Sequence, residues 1–332
     1  MLALHFLAGR AQVRETRSRP LPRGWARIAV LRSGICKTDL ELLRGYHAFT
    51  GVPGHEFVGR VIATHPPRAA WLGTRVVGEI NISCRGLGIA RAAWCDLCRR
   101  GWPRHCRRRR VMGIVDHSGA HAEEVTLPLC NLHRVPAGIS DAAAVFTEPL
   151  AAACALLEQI EITAKHRIIV QGDGKLGLLI AQVLAAHRPR ELLLLGHHPD
   201  KLRLARSWGL EARLASVRLP SSWRQQFDLV VEASGSTEGL TQALDLVRPR
   251  GTIVLKTTVH DHIRIDSAPL VVNEVTVMGS RCGPFPPALH LLQSGKVRVE
   301  ELIEESYPLR RAPAALRHAA RRGVRKIMLA EA

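Results

Sequence analysis

No apolar stretch in the 332-residue chain approaches the roughly 18 residues that a membrane-spanning helix needs. The opening stretch Met1 to Ala8 is apolar but short, contains His5 and runs into arginines without a small-residue cleavage site, so it does not read as a targeting signal. Internal repeats are missing, and aromatic residues make up only 4% of the chain. Acid is scarce as well: 29 Asp and Glu stand against 47 Lys and Arg, for a formal net charge of +18. These absences exclude helical membrane spans and repeat architectures, and they set a cytoplasmic location as the expectation. What is present, 46% hydrophobic and 23% charged residues over roughly two domain lengths, supplies buried cores and argues against a disordered chain.

The positive charge is unevenly spread. Residues 1 to 145 carry +12, residues 146 to 284 only +2, and the last 48 residues +4. Its sharpest concentration runs from Cys84 to Arg110, with nine arginines and one acid, Asp96. Such a lobe raises anionic partners. Its only aromatic side chains are Trp94 and Trp102, too few for the stacking platforms of nucleic-acid binders, so nucleic acid is not the expected partner. A catalytically vestigial nucleic-acid-binding protein using this basic lobe stays as one alternative.

The first 145 residues read as short strands broken by Gly and Pro, at Ala26 to Leu31, Phe57 to Thr64, Arg75 to Glu79 and Ala122 to Leu127, with one helix at Lys37 to Arg44. Asp141 can cap an Ala-rich helix running towards Gln159. From Arg167 onwards near-continuous apolar strands alternate with helical stretches, the signature of a parallel sheet covered on both faces. The tail carries helices around Ala288 to Gln293 and Ala312 to Arg321, then a strand Lys326 to Leu329. The chain therefore divides into 1–145, 146–284 and 285–332, an α/β protein with an irregular β domain and a doubly wound parallel sheet.

Gly172-Asp173-Gly174-Lys175-Leu176-Gly177 follows the strand Arg167 to Gln171 and opens a helix. The glycines allow a tight turn, close backbone approach to a pyrophosphate, and close helix packing, while the helix N-terminus offers free N–H groups. No acid stands at the end of the next strand, where one would bind the ribose hydroxyls of NAD. Gly196, His197 and His198 stand there instead, with Arg203 nearby, which favours NADP over NAD; Asp200 is expected to cap the following helix.

Four thiols, Cys84, Cys95, Cys98 and Cys106, fall within 23 residues, and a tetrahedral Zn²⁺ site can fix a loop that has little core of its own. The long gap from Cys84 to Cys95 leaves the fourth ligand open. Cys130, Cys154 and Cys282 read as buried thiols. Cys36, His55 with Glu56, and Glu148 are scattered candidates for a second site; one Cys, one His and one carboxylate would leave an open fourth position, as a catalytic zinc requires.

In this order, Gly34-Ile35-Cys36-Lys37-Thr38-Asp39, Gly54-His55-Glu56, the cysteine lobe, Glu148-Pro149, the glycine motif and Gly279 to Phe285 resemble the zinc-dependent alcohol dehydrogenases of the medium-chain dehydrogenase/reductase superfamily, in the branch with polyol and threonine dehydrogenases. The resemblance implies a GroES-like β domain at 1–145 with a structural-zinc lobe at 84–106, a Rossmann NAD(P)-binding domain at 146–284, and a segment 285–332 returning to the first. It implies a site in the cleft between the domains. There Cys36, His55 and Glu148 hold a catalytic zinc, Glu56 ligates directly or exchanges with water, Asp39 orients His55, Thr38 passes the substrate proton, and Lys37 meets the cofactor pyrophosphate. Lys175 and Leu176 belong to the cofactor turn. Arg281 and Phe285 fall where the cleft is lined. Glu41 occupies the place of the usual relay histidine, with His47 a substitute. The implied activity is hydride exchange between a secondary alcohol or polyol and NAD(P), in a homodimer or homotetramer. Zinc-free quinone or enoyl reductases of the same superfamily are the alternative enzyme class; the set Cys36, His55 and Glu148 argues against them.

Overall fold

The computed structural model describes residues 1–18, 20–215, 219–258 and 262–330. It resolves into two compact units, Met1–Glu148 with Val299–Ala332, and Pro149–Arg298.

The first unit is built on a seven-stranded sheet whose central strand is Trp25–Gly34. Ala26, Ile28 and Val30 of that strand are buried at alternate positions, the period-2 pattern of a strand with one face on a core. It pairs antiparallel with Glu56–His65 along its length and with Glu124–Pro128 along its first half. Its last residues, Arg32 to Gly34, pair with the C-terminal strand Lys326–Ala330. That strand in turn lies parallel to Ile303–Pro308. Arg75–Gly78 and Leu132–Arg134 complete the other side. The helix Lys37–Leu43 follows the central strand directly.

The expected strand at Ala122 to Leu127 begins two residues later, because the chain just before it runs instead along 52–54, with Gly119, Ala120 and His121 amides donating to the Val52, Gly54 and Pro53 carbonyls. The opening residues form a hairpin, Leu2–Leu7 with Arg10–Glu15, turned at Ala8 and Gly9, both at positive φ. Its buried Leu4 and Phe6 join a core with Ile35, Leu42 and Leu316.

The second unit holds a six-stranded, wholly parallel sheet in the order Glu211–Leu214, Glu191–Gly196, Arg167–Gln171, Phe227–Glu232, Val247–Leu255, Thr276–Gly279. This is the doubly wound order in which strand succession reverses beside the first strand, the position where such sheets bind ligands. The central strands are buried on both faces, as at Ile168, Ile169 and Val170. Helices Lys175–Ala185, Pro199–Ser207 and Gly239–Leu246 alternate with them. Residues 285–298 cluster with this unit, whereas the sequence reading grouped them with the tail. The Gln182 side chain brackets Arg298 there, donating to its carbonyl at 3.1 Å and accepting its amide at 2.7 Å.

Two helix starts differ from expectation. Ser140, not Asp141, caps the helix at Asp141–Ala144, its Oγ accepting the Ala143 amide at 3.1 Å. The helix then breaks, and a second one runs from Thr147 to Cys154. His198 takes the cap position of Pro199–Ser207, leaving Asp200 within the first turn. Among the three lone cysteines Cys154 is buried and Cys282 half-buried, but Cys130 is exposed on a tight turn at Leu129–Asn131. Among the described residues no helix is long and apolar enough to cross a membrane.

Phe6 packs edge-on to Phe49 at 6.4 Å and is 2% exposed. Phe6→Ala is expected to lower the unfolding free energy by about 3–5 kcal/mol, measured by chemical denaturation.

Candidate active site and metal centres

The end of the central strand and the helix that follows it place the first cluster. Cys36 occupies the N-cap of Lys37–Leu43, and its own amide donates to the Asp39 carboxylate at 2.8 Å. Asp39 is fully buried and its other oxygen accepts the Gly54 amide at 3.2 Å. That places His55, the next residue, with Nδ1 3.5 Å from Asp39. Ligand atoms of Cys36, His55 and Glu56 all lie within 4.8 Å of one another. Thr38 Oγ1 is 3.9 Å from the Cys36 sulfur. Lys37 is exposed on the first turn of the helix. Glu148 sits half-buried at the start of Thr147–Cys154 and does not join the three within that distance.

Burial alone would raise the Asp39 pKa, but the facing imidazoles of His55 and His121 hold it well below the usual carboxylate range. Burial likewise opposes a charged His55, while Asp39 and Cys36 raise its pKa well above the ordinary imidazole value.

Three residues that sequence reasoning passed over complete the surroundings. Lys326 of the last strand is 1% exposed and its ammonium pairs with Glu56 Oε2. Burial opposes its charge, but Glu56 and Cys36 raise its pKa. The Glu56 carboxylate therefore has a cation of its own. His121 is fully buried, with Nε2 3.5 Å from Asp39 and Nδ1 2.9 Å from the Ser33 hydroxyl. No sequence signal marks it: a single His between small residues is ordinarily a packed side chain. The proposed outer relay positions are exposed or engaged, His47 lying on the surface beside Tyr46 and Glu41 pairing with Arg44 at 2.9 Å.

The second cluster gathers all four thiols of the lobe, their sulfurs within 4.8 Å of one another. The ten residues between Cys84 and Cys95 fold back on themselves. The Ile89 amide donates to the Cys84 carbonyl at 3.0 Å, and the Trp94 indole donates to the Ile89 carbonyl at 2.9 Å. The insertion thus closes as a loop and brings Cys84 to 3.5 Å from the Cys106 sulfur. Backbone amides of Cys95 and Arg108 point at the sulfurs of Cys84 and Cys106. Amides of Cys98 and Arg107 lower the Cys95 pKa to about 6, while burial pushes Cys98 up to about 12. Sulfurs already solvated by backbone N–H groups suit thiolate and hence a thiophilic dication.

In the second unit, Gly172 has φ +111 and lies so close to the Ala233 carbonyl that a side chain there would collide with it. A Cβ on Gly177 would strike the Gly172 carbonyl. Gly174, by contrast, caps the helix Lys175–Ala185 with open space at its Cβ position. Two glycines are thus demanded by packing and the middle one leaves room for a ligand, as a dinucleotide turn requires. Lys175 and Leu176 form the first turn of that helix. Gly196 ends the adjacent strand, and a side chain there would meet the Asp173 carboxylate. Asp173 is itself held by His198, whose amide donates at 2.6 Å and whose Nδ1 lies at 3.0 Å. His198 is therefore tied to a carboxylate, while His197 and Arg203 are exposed. Phe285 is buried at the start of Phe285–Gln293, and Arg281 is exposed.

Residues 22–137 match the alcohol dehydrogenase GroES-like domain, and residues 176–294 the zinc-binding dehydrogenase family. Among curated relatives, the erythritol/L-threitol dehydrogenase of Mycolicibacterium smegmatis is 29% identical, covering 86% of this chain and 84% of the relative. The D-altritol 5-dehydrogenase of Agrobacterium fabrum is 28% identical over 93% of each. Among solved structures, a zinc-binding dehydrogenase from Sinorhizobium meliloti bound to NADP superposes with a TM-score of 0.88 at 26% identity, covering 99% of this chain and 98% of that one. An alcohol dehydrogenase from Thermus sp. ATN1 gives 0.87 at 28% identity, with full coverage of both. The chain has a zinc-binding-dehydrogenase-like fold of the medium-chain dehydrogenase/reductase superfamily and is related to polyol and threonine dehydrogenases.

Removing one partner of the Lys326–Glu56 pair would strand a buried charge. Lys326→Met is expected to cost about 3–5 kcal/mol of stability by chemical denaturation, with much of the loss recovered in the double variant Lys326→Met/Glu56→Gln.

Proposed function

We propose that the chain is a zinc-dependent oxidoreductase that moves a hydride between the carbinol carbon of a secondary alcohol or polyol and the nicotinamide of NADP. The carrying observation is the convergence of the Cys36 thiol and His55 imidazole beside a buried carboxylate, in a chain whose second unit has the glycine turn. The donor set of thiol, imidazole and carboxylate suits zinc, and His55 turns Nδ1 to Asp39, which leaves Nε2 as the metal-binding nitrogen. Zinc bound there would supply Lewis acidity, lowering the pKa of an alcohol oxygen in one direction and polarising a carbonyl in the other.

The proposed ligands are Cys36, His55 and Glu148. Glu56, neutralised by Lys326, serves as a reserve carboxylate. Thr38, half-buried beside Cys36, is the hydroxyl that accepts the substrate proton and hands it outward. Cys84, Cys95, Cys98 and Cys106 are proposed to hold a second, structural zinc. Gly172, Gly174 and Gly177 with the first turn Lys175–Leu176 take the pyrophosphate, and Lys37 is proposed to reach it. With no acid at Gly196, and with His197 and Arg203 exposed, the ribose end favours a 2′-phosphate. The names of the erythritol/L-threitol and D-altritol dehydrogenases support a polyol or related alcohol as substrate. The strand Thr276–Gly279 at one end of the sheet, with Val271, Val272 and Val277 exposed beside it, supports a homodimer or homotetramer.

Cys36→Ser and His55→Ala are expected to abolish turnover of a secondary-alcohol panel while NADPH still binds, followed by nicotinamide fluorescence. Full turnover in protein shown by metal analysis to be zinc-free would sink the reading. His197→Asp is expected to shift the ratio of NADP to NAD efficiency towards NAD by about tenfold or more, the worth of a charge-assisted hydrogen bond. Cys84→Ser is expected to lower the zinc content by about one per chain.

A further inference from the structure

We propose that His121 is a positioning residue for the first metal site, holding the Asp39 carboxylate that in turn orients His55; this rests on the reading that His55 holds a metal. A carboxylate offers about four lone-pair directions, two on each oxygen. Two backbone amides donate to Asp39, and two imidazole nitrogens face the remaining directions at 3.5 Å, each buried and with no other partner. Oδ2 faces the Cys36 amide at 2.8 Å and His121 Nε2 at 3.5 Å; Oδ1 faces the Gly54 amide at 3.2 Å and His55 Nδ1 at 3.5 Å. The two imidazoles thus flank one carboxylate, and only one of them is proposed to bind metal.

The ring is aimed from both ends. Its Nδ1 lies 2.9 Å from the Ser33 hydroxyl on the central strand, so a neutral ring accepting there carries its proton on Nε2, towards Asp39. Its backbone is fixed by its amide donating to Pro53 at 3.0 Å and by its carbonyl accepting the Leu4 amide at 2.8 Å. Gly54, at φ +100, is pressed against it, and a Cβ there would meet His121 ring and amide atoms at 2.7 Å. The glycine before His55 thus lets that segment lie directly against the ring and backbone of His121. With Nδ1 taken by Ser33, the buried Nε2 has only the Asp39 carboxylate to face. Here Ser33, His121, Asp39 and His55 form one continuous buried polar chain, fully or nearly fully closed to solvent.

The effect should appear in metal affinity, since outer partners of ligating histidines are worth about 10–100-fold there. Cobalt(II) is the probe, read from the thiolate absorption that Cys36→Ser removes and titrated against a chelator. His121→Phe is expected to weaken cobalt binding at this site by about 10–100-fold, leaving the four-cysteine lobe unaffected. His121→Gln, which restores an N–H donor, should regain most of the loss. Ser33→Ala, a milder change that keeps the ring, should weaken binding in the same direction if His121→Phe fails to fold. In metal-free protein, hydrogen exchange at the Cys36 and Gly54 amides should accelerate in His121→Phe or Ser33→Ala. Cobalt affinity and exchange both within twofold of wild type would overturn the proposal, even if stability fell. A wild-type chain lacking any Cys36-dependent cobalt band would instead sink the metal reading, and the exchange rates would still decide whether His121 holds Asp39.

Discussion

The first unit depends on a buried ion pair between residues far apart in sequence, Lys326 and Glu56. The C-terminal strand lies against the end of the central strand, and that register carries Lys326 beneath the cluster of Cys36, His55 and Glu56. Without the ammonium, Glu56 would be a buried carboxylate with no counter-charge, a state that costs several kcal/mol. The strand is thus more than an edge added late to a finished sheet. It brings both the hydrogen bonds that extend the sheet and the cation that lets Glu56 remain buried next to His55. This explains why a chain that leaves the first unit at residue 148 must return to it after residue 298.

What could be read in the sequence was local. The glycine turn was legible because its requirements lie within six residues, and Gly172 and Gly177 meet them as collisions that a Cβ would cause. The parallel strands were legible because burial on both faces leaves uninterrupted apolar runs such as Ile168 to Val170. The lobe cysteines could be grouped by spacing, but the return of the inserted loop could not, since it depends on Trp94 and Ile89 closing over the sulfurs. Ser140 and Asp141 are both good caps, and their order is decided by which one stands just before the first helical residue. His121, Ser33 and Lys326 were illegible for a single reason. Each is a lone polar residue whose partner stands 82 or more positions away, so its chemistry exists only once strand register is set.

The lobe illustrates how a charge count changes meaning once positions are known. Its one acid, Asp96, is engaged by Arg107 through two hydrogen bonds at 2.6 and 2.8 Å. Arg99, Arg100, Arg108, Arg109 and Arg110 are exposed around a knot of four sulfurs. Backbone amides favour the thiolate at Cys95 while burial opposes it at Cys98 and Cys106, and thiolates formed on binding a dication would relieve the mutual repulsion of the arginines. On the proposed reading the excess charge and the cysteines are two halves of one arrangement: four thiolates with a dication carry a net −2, which takes the lobe from +8 to +6.

The same accounting applied to the first cluster gives a sharper result. On the proposed reading a dication is neutralised by its own ligands, a Cys36 thiolate and the Glu148 carboxylate, while Lys326 offsets Glu56. Glu56 is then free of any need to bind the metal, because Lys326 already satisfies it. Were Lys326 absent, the same pocket would hold one more uncompensated negative charge, and Glu56 would be the nearest group able to relieve it by moving onto the metal. The identity of residue 326 therefore governs how firmly Glu56 is held back, while Asp39, fixed by amides and imidazoles from three separate segments, governs how firmly His55 is held forward. One carboxylate is restrained by a cation and the other by N–H donors, and this difference separates a reserve group from an orienting one.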